Sequence, residues 1–492
     1  MIKSLIKDMA KYLPVQIVPG IVGFISIPII TRLFTPEEYG NYILVIATVS
    51  VLSTIIGWLP MSIIRFYPVH EREGKLDEFC GNILKLTIIS VLAVSLTTSG
   101  ILVVLKPHIS MKLYSLMWIG VVVFIVSSGV VVPLYFLRAR RQVSWYSSFR
   151  IWNRLAAITF GILLVMAFRF DVSGLLWGSV LSLATVLPFL WKKAMKRVSL
   201  RPKGISLPLT SEMAKYGFPL VIGNLAAWIL SLSDRYILEF FRGSKEVGIY
   251  SASYGISENS IMLLGTLFML ASGPIEMNVW EKEGAKKSQE FVSKLTRYYL
   301  IVCLPAMVGL SVLAKPLIGI LTVQEYYEGY RIVPLVTLGA FFLGLQQRFL
   351  AGPLFYKRTH FVMFSIISSG FLNLGLNWLF IPRYGYVAAA FTTLISYAFL
   401  LFLMITVSRR YFVWEFPFKS LAKATCASSA MGIIVYYVGS NLTPSTLLNL
   451  ILGTVVGVAV YFAMLFLLRE PQKEEIQELR ILKARILARL MR

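Results

Sequence analysis

Apolar residues in this chain come in blocks of about twenty, parted by short polar hinges, rather than alternating or recurring along one face. A hydrocarbon core of about 30 Å takes roughly 20 helical residues to cross, and fourteen blocks qualify: 13–34, 42–64, 83–105, 113–137, 149–168, 172–190, 216–240, 247–272, 295–313, 332–354, 361–381, 387–407, 421–438 and 447–468. The pattern predicts an all-α integral membrane protein with about 14 transmembrane helices. A membrane β-barrel fits poorly, because the blocks lack the period-2 alternation of lipid-facing and lumen-facing positions.

Charge sharpens the picture. The chain holds 48 Lys and Arg against 24 Asp and Glu, a net charge of +24. Such a balance often marks nucleic-acid binding, but here every second connection carries it. Arg65, Arg72 and Lys75, then Arg138, Arg140 and Arg141, then Lys192, Lys193 and Lys196 mark successive basic hinges, whereas the intervening hinges hold little beyond residues such as Lys106 and Arg169. Basic short loops stay on the cytoplasmic side. Both termini are therefore expected in the cytoplasm of a multi-pass protein of the inner (plasma) membrane, and no nucleic-acid partner is needed. The first block lacks a small-residue cleavage site and reads as a retained span. Cys80, Cys303 and Cys426 are scattered, as are His70, His108 and His360, so neither a disulfide frame nor a metal site is expected.

The sequence also repeats itself. Asp8-Met-Ala-Lys-Tyr12 before the first block recurs as Glu212-Met-Ala-Lys-Tyr216 before the seventh, and Tyr39-Gly-Asn-Tyr42 is answered by Val247-Gly-Ile-Tyr250. An even number of spans between the copies gives the halves the same orientation, a parallel repeat that commonly holds substrate between two lobes at mid-membrane. The expected division is a six-helix lobe over 1–205, a second over 206–408, two additional helices over 409–470 and a basic amphipathic tail over 471–492. Pro14, Pro19 and Pro28 in the first block, and Pro353 in the tenth, mark spans in which a backbone donor is missing.

Ionisable side chains inside a bilayer are costly and normally face a cavity, a partner or the interface. Inside or at the margins of the blocks lie Arg32, Arg65, Arg150, Arg154, Arg235 and Arg348, against Asp234, Glu239 and Glu258. Guanidinium groups bind phosphate through paired, charge-assisted hydrogen bonds, so a cavity lined by Arg32, Arg65, Arg154, Arg235 and Arg348 would suit a pyrophosphate. For Arg32, Arg65 and Arg235, within about five residues of a span end, snorkelling to headgroups is equally open. Glu258 is the deepest acid and a candidate proton or sodium station, with Asp234 second; a structural hydrogen bond between helices is the competing role for Glu258. No phosphate loop, nucleophile elbow or zinc motif appears, so neither ATP-driven work nor enzymatic catalysis is expected, and no cofactor beyond a possible H+ or Na+ gradient.

The stretch Ile27-Pro-Ile-Ile-Thr-Arg-Leu-Phe-Thr-Pro-Glu-Glu-Tyr-Gly-Asn-Tyr42, with Ser62-Ile-Ile-Arg-Phe-Tyr67 and Ser233-Asp-Arg-Tyr-Ile-Leu238, resembles the polysaccharide-flippase (Wzx-type) branch of the multidrug/oligosaccharidyl-lipid/polysaccharide exporter superfamily. That resemblance implies translocation of a polyprenyl-pyrophosphate-linked oligosaccharide from the cytoplasmic to the outer leaflet by alternating access. It also implies membrane lipids as surroundings, and polysaccharide polymerase and glycosyltransferases as neighbours in the pathway. Arg32, Arg65 and Arg235 lie closest to the family's motifs. A multidrug exporter of the same superfamily is the nearest rival, and a membrane glycan transferase, which would need a larger outer loop, the more distant one.

Overall fold

The computed structural model describes residues 2–196, 205–441, 446–472 and 475. Among them the chain is almost wholly helical: α1 (Ile2–Leu33), α2 (Pro36–Ile55), α3 (Trp58–Arg72), α4 (Leu76–Leu105), α5 (Met111–Ala139), α6 (Val143–Phe168), α7 (Ser173–Ala194), α8 (Leu207–Arg242), α9 (Ser244–Val312), α10 (Ala314–Leu321), α11 (Val333–Gln346), α12 (Ala351–Phe355), α13 (Thr359–Arg409), α14 (Phe418–Asn441) and α15 (Thr446–Leu467). α2 and α3 run on as one span, as do α11 and α12. α9 and α13 each contain two, broken at Gly284 (φ 82°) and Gly385 (φ 59°). Each of the fourteen expected blocks thus finds its own helical segment. Of the amphipathic tail expected over 471–492, all but Pro471, Gln472 and Glu475 lies outside the described residues.

Local chemistry sets the breaks. Thr35 and Glu38 form a reciprocal capping box with Pro36 in the first turn, which starts α2 immediately after α1 stops. At Gly385 a positive φ reverses the chain, and the Tyr386 N–H donates to Glu246 Oε2 at 3.0 Å, so a carboxylate caps the new helix start. Among the described residues, the non-glycine positions with positive φ are Arg141, Arg169, Lys357 and Arg469, all cations at the ends of helices. There the C-terminal dipole favours positive charge and offsets part of the left-handed penalty.

α1–α7 form one lobe and α8–α13 a second, with α2 lying along α9, α1 along α9, and α3 along α8. Away from the chain's N-terminal face, a single buried core spans both lobes and includes Ile27, Phe34, Tyr39, Val247, Tyr250 and Tyr326. The Tyr326 hydroxyl donates to Phe34 O at 2.9 Å, Ser244 Oγ donates to Asn41 Oδ1 at 2.7 Å, and the Thr48 and Tyr236 hydroxyls lie 2.7 Å apart. The space between the lobes is therefore shut at the charge-poor face. α14 and α15 stand outside the second lobe, where Met431, Val435, Tyr461 and Leu465 pack on Ile301, Val308 and Val312 of α9. Gly432 and Gly457 permit this, since a Cβ at either would press within 2.9 Å of a valine methyl. Outward-facing Leu96, Val104, Met166, Phe189 and Leu467 are exposed apolar residues, the surface expected against lipid.

Candidate functional site

Two polar centres occupy the interior, one between the lobes and one inside the second lobe. Arg154 of α6 sits roughly 16 Å along its helix axis from Val143, near mid-membrane. Its Nη2 lies 3.3 Å from where a Cβ on Gly23 of α1 would stand, and Asn259 Nδ2 of α9 lies 3.8 Å from the same point. Gly23 thus leaves the gap in which a guanidinium from one lobe meets an amide from the other. Arg154 is exposed and Asn259 half-buried, so this centre opens onto the interlobe space. On the same helix Asn153 turns away, accepting from Ser182 Oγ of α7 at 2.9 Å.

The second centre is built on α8, α9 and α13. Asp234 and Arg235 are both buried. Arg235 Nη1 donates to Asp234 Oδ1 at 2.7 Å and to the Ser231 carbonyl, while the Tyr250 hydroxyl donates to Asp234 Oδ2 at 2.5 Å. The guanidinium also lies over the Tyr250 and Tyr254 rings, 5.1 and 4.7 Å from their centroids. The Tyr254 hydroxyl donates to Glu258 Oε1 at 3.4 Å and lies 3.2 Å from the Tyr397 hydroxyl. On α13, Asn377 donates to Asn373 at 2.9 Å and accepts from Thr392, and Asn373 donates to Thr393 at 3.4 Å, all fully or nearly fully buried, with Thr393 meeting Tyr250. A continuous polar ladder thus crosses the second lobe, and half-buried Glu258, one residue before Asn259, stands where it meets the interlobe space.

The five arginines and two acids expected to act do not share one cavity. Arg154 is at the interlobe centre, and Asp234, Arg235 and Glu258 are in the ladder; Tyr39 lies within electrostatic reach of both Arg154 and Arg235. Arg32 is exposed at the charge-poor rim, where Nη2 donates to Ile320 O at 2.8 Å. Arg65 is exposed on α3. Arg348 is buried within the second lobe near Glu276, Tyr299 and Cys303, its Nε without a hydrogen-bond partner. Asp234 and Arg235 also pair with each other: although neighbouring positions point about 100° apart on a helix, the long arginine stem folds back to reach the carboxylate. Arg32 and Arg235 are not equivalent, because Arg32 is the penultimate residue of α1 while Arg235 lies about two turns inside the end of α8.

Sequence reasoning missed Tyr250, Tyr254, Tyr397, Asn373 and Thr393. Asn373 and Asn377, one turn apart in an otherwise apolar block, were the available signal; tyrosines in a chain with 24 of them gave none.

Two lobes of parallel orientation, closed at one face around charged interlobe residues, define a membrane transporter, and the comparisons place it further. The chain matches the polysaccharide biosynthesis protein family model over residues 5–277, and it belongs to that family. Among curated proteins it is 22% identical over 367 residues to an uncharacterized membrane protein of Methanocaldococcus jannaschii, MJ1068, covering 69% of this chain and 71% of that one. It is 21% identical over 351 residues to the probable low-salt glycan biosynthesis flippase Agl15 of Haloferax volcanii, covering 69% and 70%. Of solved structures, the lipid II flippase MurJ in an inward closed conformation superposes with a TM-score of 0.71 at 17% identity over 94% of this chain and 99% of that one. An inward-facing multidrug resistance MATE family transporter of the MOP superfamily superposes with 0.67 at 12% identity over 81% and 94%. These structural likenesses establish the fold, that of the superfamily expected from the Ile27 to Tyr42 stretch.

Proposed function

We propose that the protein is a flippase that moves a polyprenyl-pyrophosphate-linked oligosaccharide from the cytoplasmic to the outer leaflet during surface polysaccharide assembly. The observation that carries the reading is Arg154, an exposed guanidinium at mid-membrane between the lobes of a polysaccharide-family fold. An arginine keeps its charge when partly desolvated and matches a phosphate with two N–H donors. Asn259 opposite it supplies amide groups suited to sugar or phosphate oxygens. The basic face, with the N-terminus, is the cytoplasmic one by the distribution of Lys and Arg. The protein works as a transporter beside glycosyltransferases and a polymerase rather than as an enzyme, and it alternates between openings at the two faces.

Coupling to an H+ or Na+ gradient runs through Glu258 in this reading. Its carboxylate is held by Tyr254 yet adjoins the interlobe space, so cargo and ion would compete for one neighbourhood. Asp234, already occupied by Arg235 and Tyr250, is second.

The test is reconstitution in proteoliposomes with a fluorescent polyprenyl-diphosphate-linked sugar, scoring outer-leaflet arrival with a membrane-impermeant quencher. Wild type is expected to flip the lipid and Arg154→Ala to lose at least tenfold in rate, with Glu258→Gln insensitive to an imposed pH or sodium gradient. Flipping by folded Arg154→Ala at the wild-type rate would overturn the assignment. Preferential uptake of lipophilic cations would favour a drug exporter instead.

A further inference from the structure

A cavity of about 690 Å³ lies on the basic face of the first lobe, where the ends of α3 and α7 meet the turn between α5 and α6. Arg72, Arg140, Arg141, Lys193 and Lys196 line it, against the single acid Glu71. The acid is engaged by its own helix: the Tyr67 hydroxyl donates to Glu71 Oε1 at 3.2 Å, while Arg140 Nε donates to the Tyr67 hydroxyl at 2.8 Å. Arg140 Nη2 is covered by protein and has no hydrogen-bond partner, and Gln142 Oε1 beside it is equally unsatisfied. A donor left buried and unpaired is destabilising, and five like charges around one space repel.

The fold does not require this cavity. The corresponding helix ends of the second lobe are filled by aromatic rings: Trp280 stacks on Phe355 with centroids 4.4 Å apart, and Phe412 meets Phe355 edge-on at 5.2 Å. One repeat has closed the position with apolar contacts, and the other keeps it open, basic and under-satisfied. Lys193 Nζ lies 4.5 Å from the Trp145 ring centroid, and Trp145 is about half exposed beside the apolar surface. Exposed tryptophans paired with lysines mark the headgroup level of a bilayer, so the cavity stands beside lipid.

We propose that this pocket binds the phosphate-bearing headgroup of a membrane lipid in the leaflet at the basic face, with Arg140 Nη2 and the neighbouring lysines donating to phosphate oxygens and Gln142 Oε1 accepting from a headgroup hydroxyl. Basic pockets between membrane helices take such headgroups readily. The site is separate from the Arg154 centre and independent of the cargo that centre carries. A bulk anionic phospholipid and a polyprenyl diphosphate carrier share this chemistry.

The test uses the full chain in neutral phosphatidylcholine nanodiscs, titrated with fluorescent phosphatidylglycerol, with a polyprenyl diphosphate, and with inorganic pyrophosphate as competitor. Wild type is expected to bind phosphatidylglycerol saturably and more weakly as salt rises. An Arg140→Gln, Lys193→Gln double variant should bind it at least tenfold more weakly. Arg154→Gln should retain the binding while losing transport, which separates this site from the proposed central one. Polyprenyl diphosphate favoured more than tenfold over phosphatidylglycerol assigns the pocket to the carrier lipid, and equal affinity assigns it to bulk lipid. If Arg140→Gln fails to elute as a monodisperse protein, Arg72→Gln with Lys196→Gln at the exposed rim replaces it, with an expected loss of at least threefold. Wild-type affinity in a folded variant, or displacement by pyrophosphate with no lipid binding, overturns the proposal.

Discussion

Gly40 and Gly248 occupy matching places in the two halves of the chain, and each has the other lobe's backbone where its side chain would be. A Cβ on Gly40 would overlap the Ser244 carbonyl, and one on Gly248 would overlap the Pro36 carbonyl. Residue and partner exchange roles across the crossing of α2 and α9, the relation a two-fold axis along the membrane normal imposes. The repeat noticed in the sequence is thus also the contact that shuts the charge-poor face.

Substituting either glycine should wedge that closure open. Gly40→Val and Gly248→Val are expected to raise labelling of a cysteine at Thr48 by a membrane-impermeant maleimide applied from the charge-poor side, in a background lacking Cys80, Cys303 and Cys426. Overpacking of this kind typically costs about 1–3 kcal/mol, so melting should fall modestly. Unchanged labelling in a folded variant would mean that the crossing is not the moving gate.

The buried Asp234–Arg235 pair makes a stability prediction of definite sign. Removing one partner strands the other charge, at about 3–5 kcal/mol, so Asp234→Asn alone should sharply lower the melting temperature of the purified protein. Asp234→Asn with Arg235→Gln removes both charges of the pair and should recover most of the loss. Equal melting of the single and double variants would show that the carboxylate does not serve chiefly to neutralise Arg235. This recovery is distinct from transport, which the double variant is not expected to regain.

How much of this could be read from residues alone follows from what periodicity encodes. Burial in lipid is written in composition, so all fourteen segments were legible, including the pairs that run on without a loop at Gly284 and Gly385. Depth within a span, by contrast, does not fix which way a side chain faces: Arg348 and Arg154 look alike in sequence, yet one is enclosed by α9 and α11 and the other stands between the lobes. The ladder of Tyr250, Tyr254, Tyr397 and Asn373 joins residues far apart in the chain. Only tertiary packing brings them together.

Beyond the last helix, Arg297 of α9 is clamped by Glu470 and Glu475, with Nε to Glu470 Oε1 at 2.8 Å and Nη1 to Glu475 Oε1 at 2.5 Å; Lys423 adds a contact to Glu470 at 3.3 Å. Burial pushes the Glu475 carboxyl up, but hydrogen bonds from Arg297, the Gln472 N–H and the Tyr298 hydroxyl outweigh it and hold the group at about 2. A folded-state value below the ordinary carboxylate value means that the clamp's contribution is complete above about pH 4.5 and fades as pH falls toward 2. Spin labels at Ser293 and Gln472 should therefore keep one distance from pH 7 to about 5 and spread below it. Glu475→Gln should broaden the distance at every pH, and a wild-type distance that already changes between pH 7 and 5 would contradict the assignment.

The sharpest separation concerns Arg154 and Arg348, which the sequence ranked together. Arg154 is exposed beside Gly23 of its own lobe, with Asn259 of the other lobe close to the same point, so Arg154→Ala should leave folding intact and abolish export, and Arg154→Lys should restore it only in part because the bidentate fork is gone. Arg348 faces Glu276 from inside the second lobe, where its removal leaves that carboxylate short of a counter-charge. Arg348→Ala is expected to lower melting and protein yield, and Arg348→Met with Glu276→Gln to restore both. Measured side by side, surface glycan corrected for protein level should track residue 154 and not residue 348. Export lost in a stable Arg348→Met, Glu276→Gln protein would place that arginine on the cargo path after all, and would require the second lobe to open along α9 and α11 during transport.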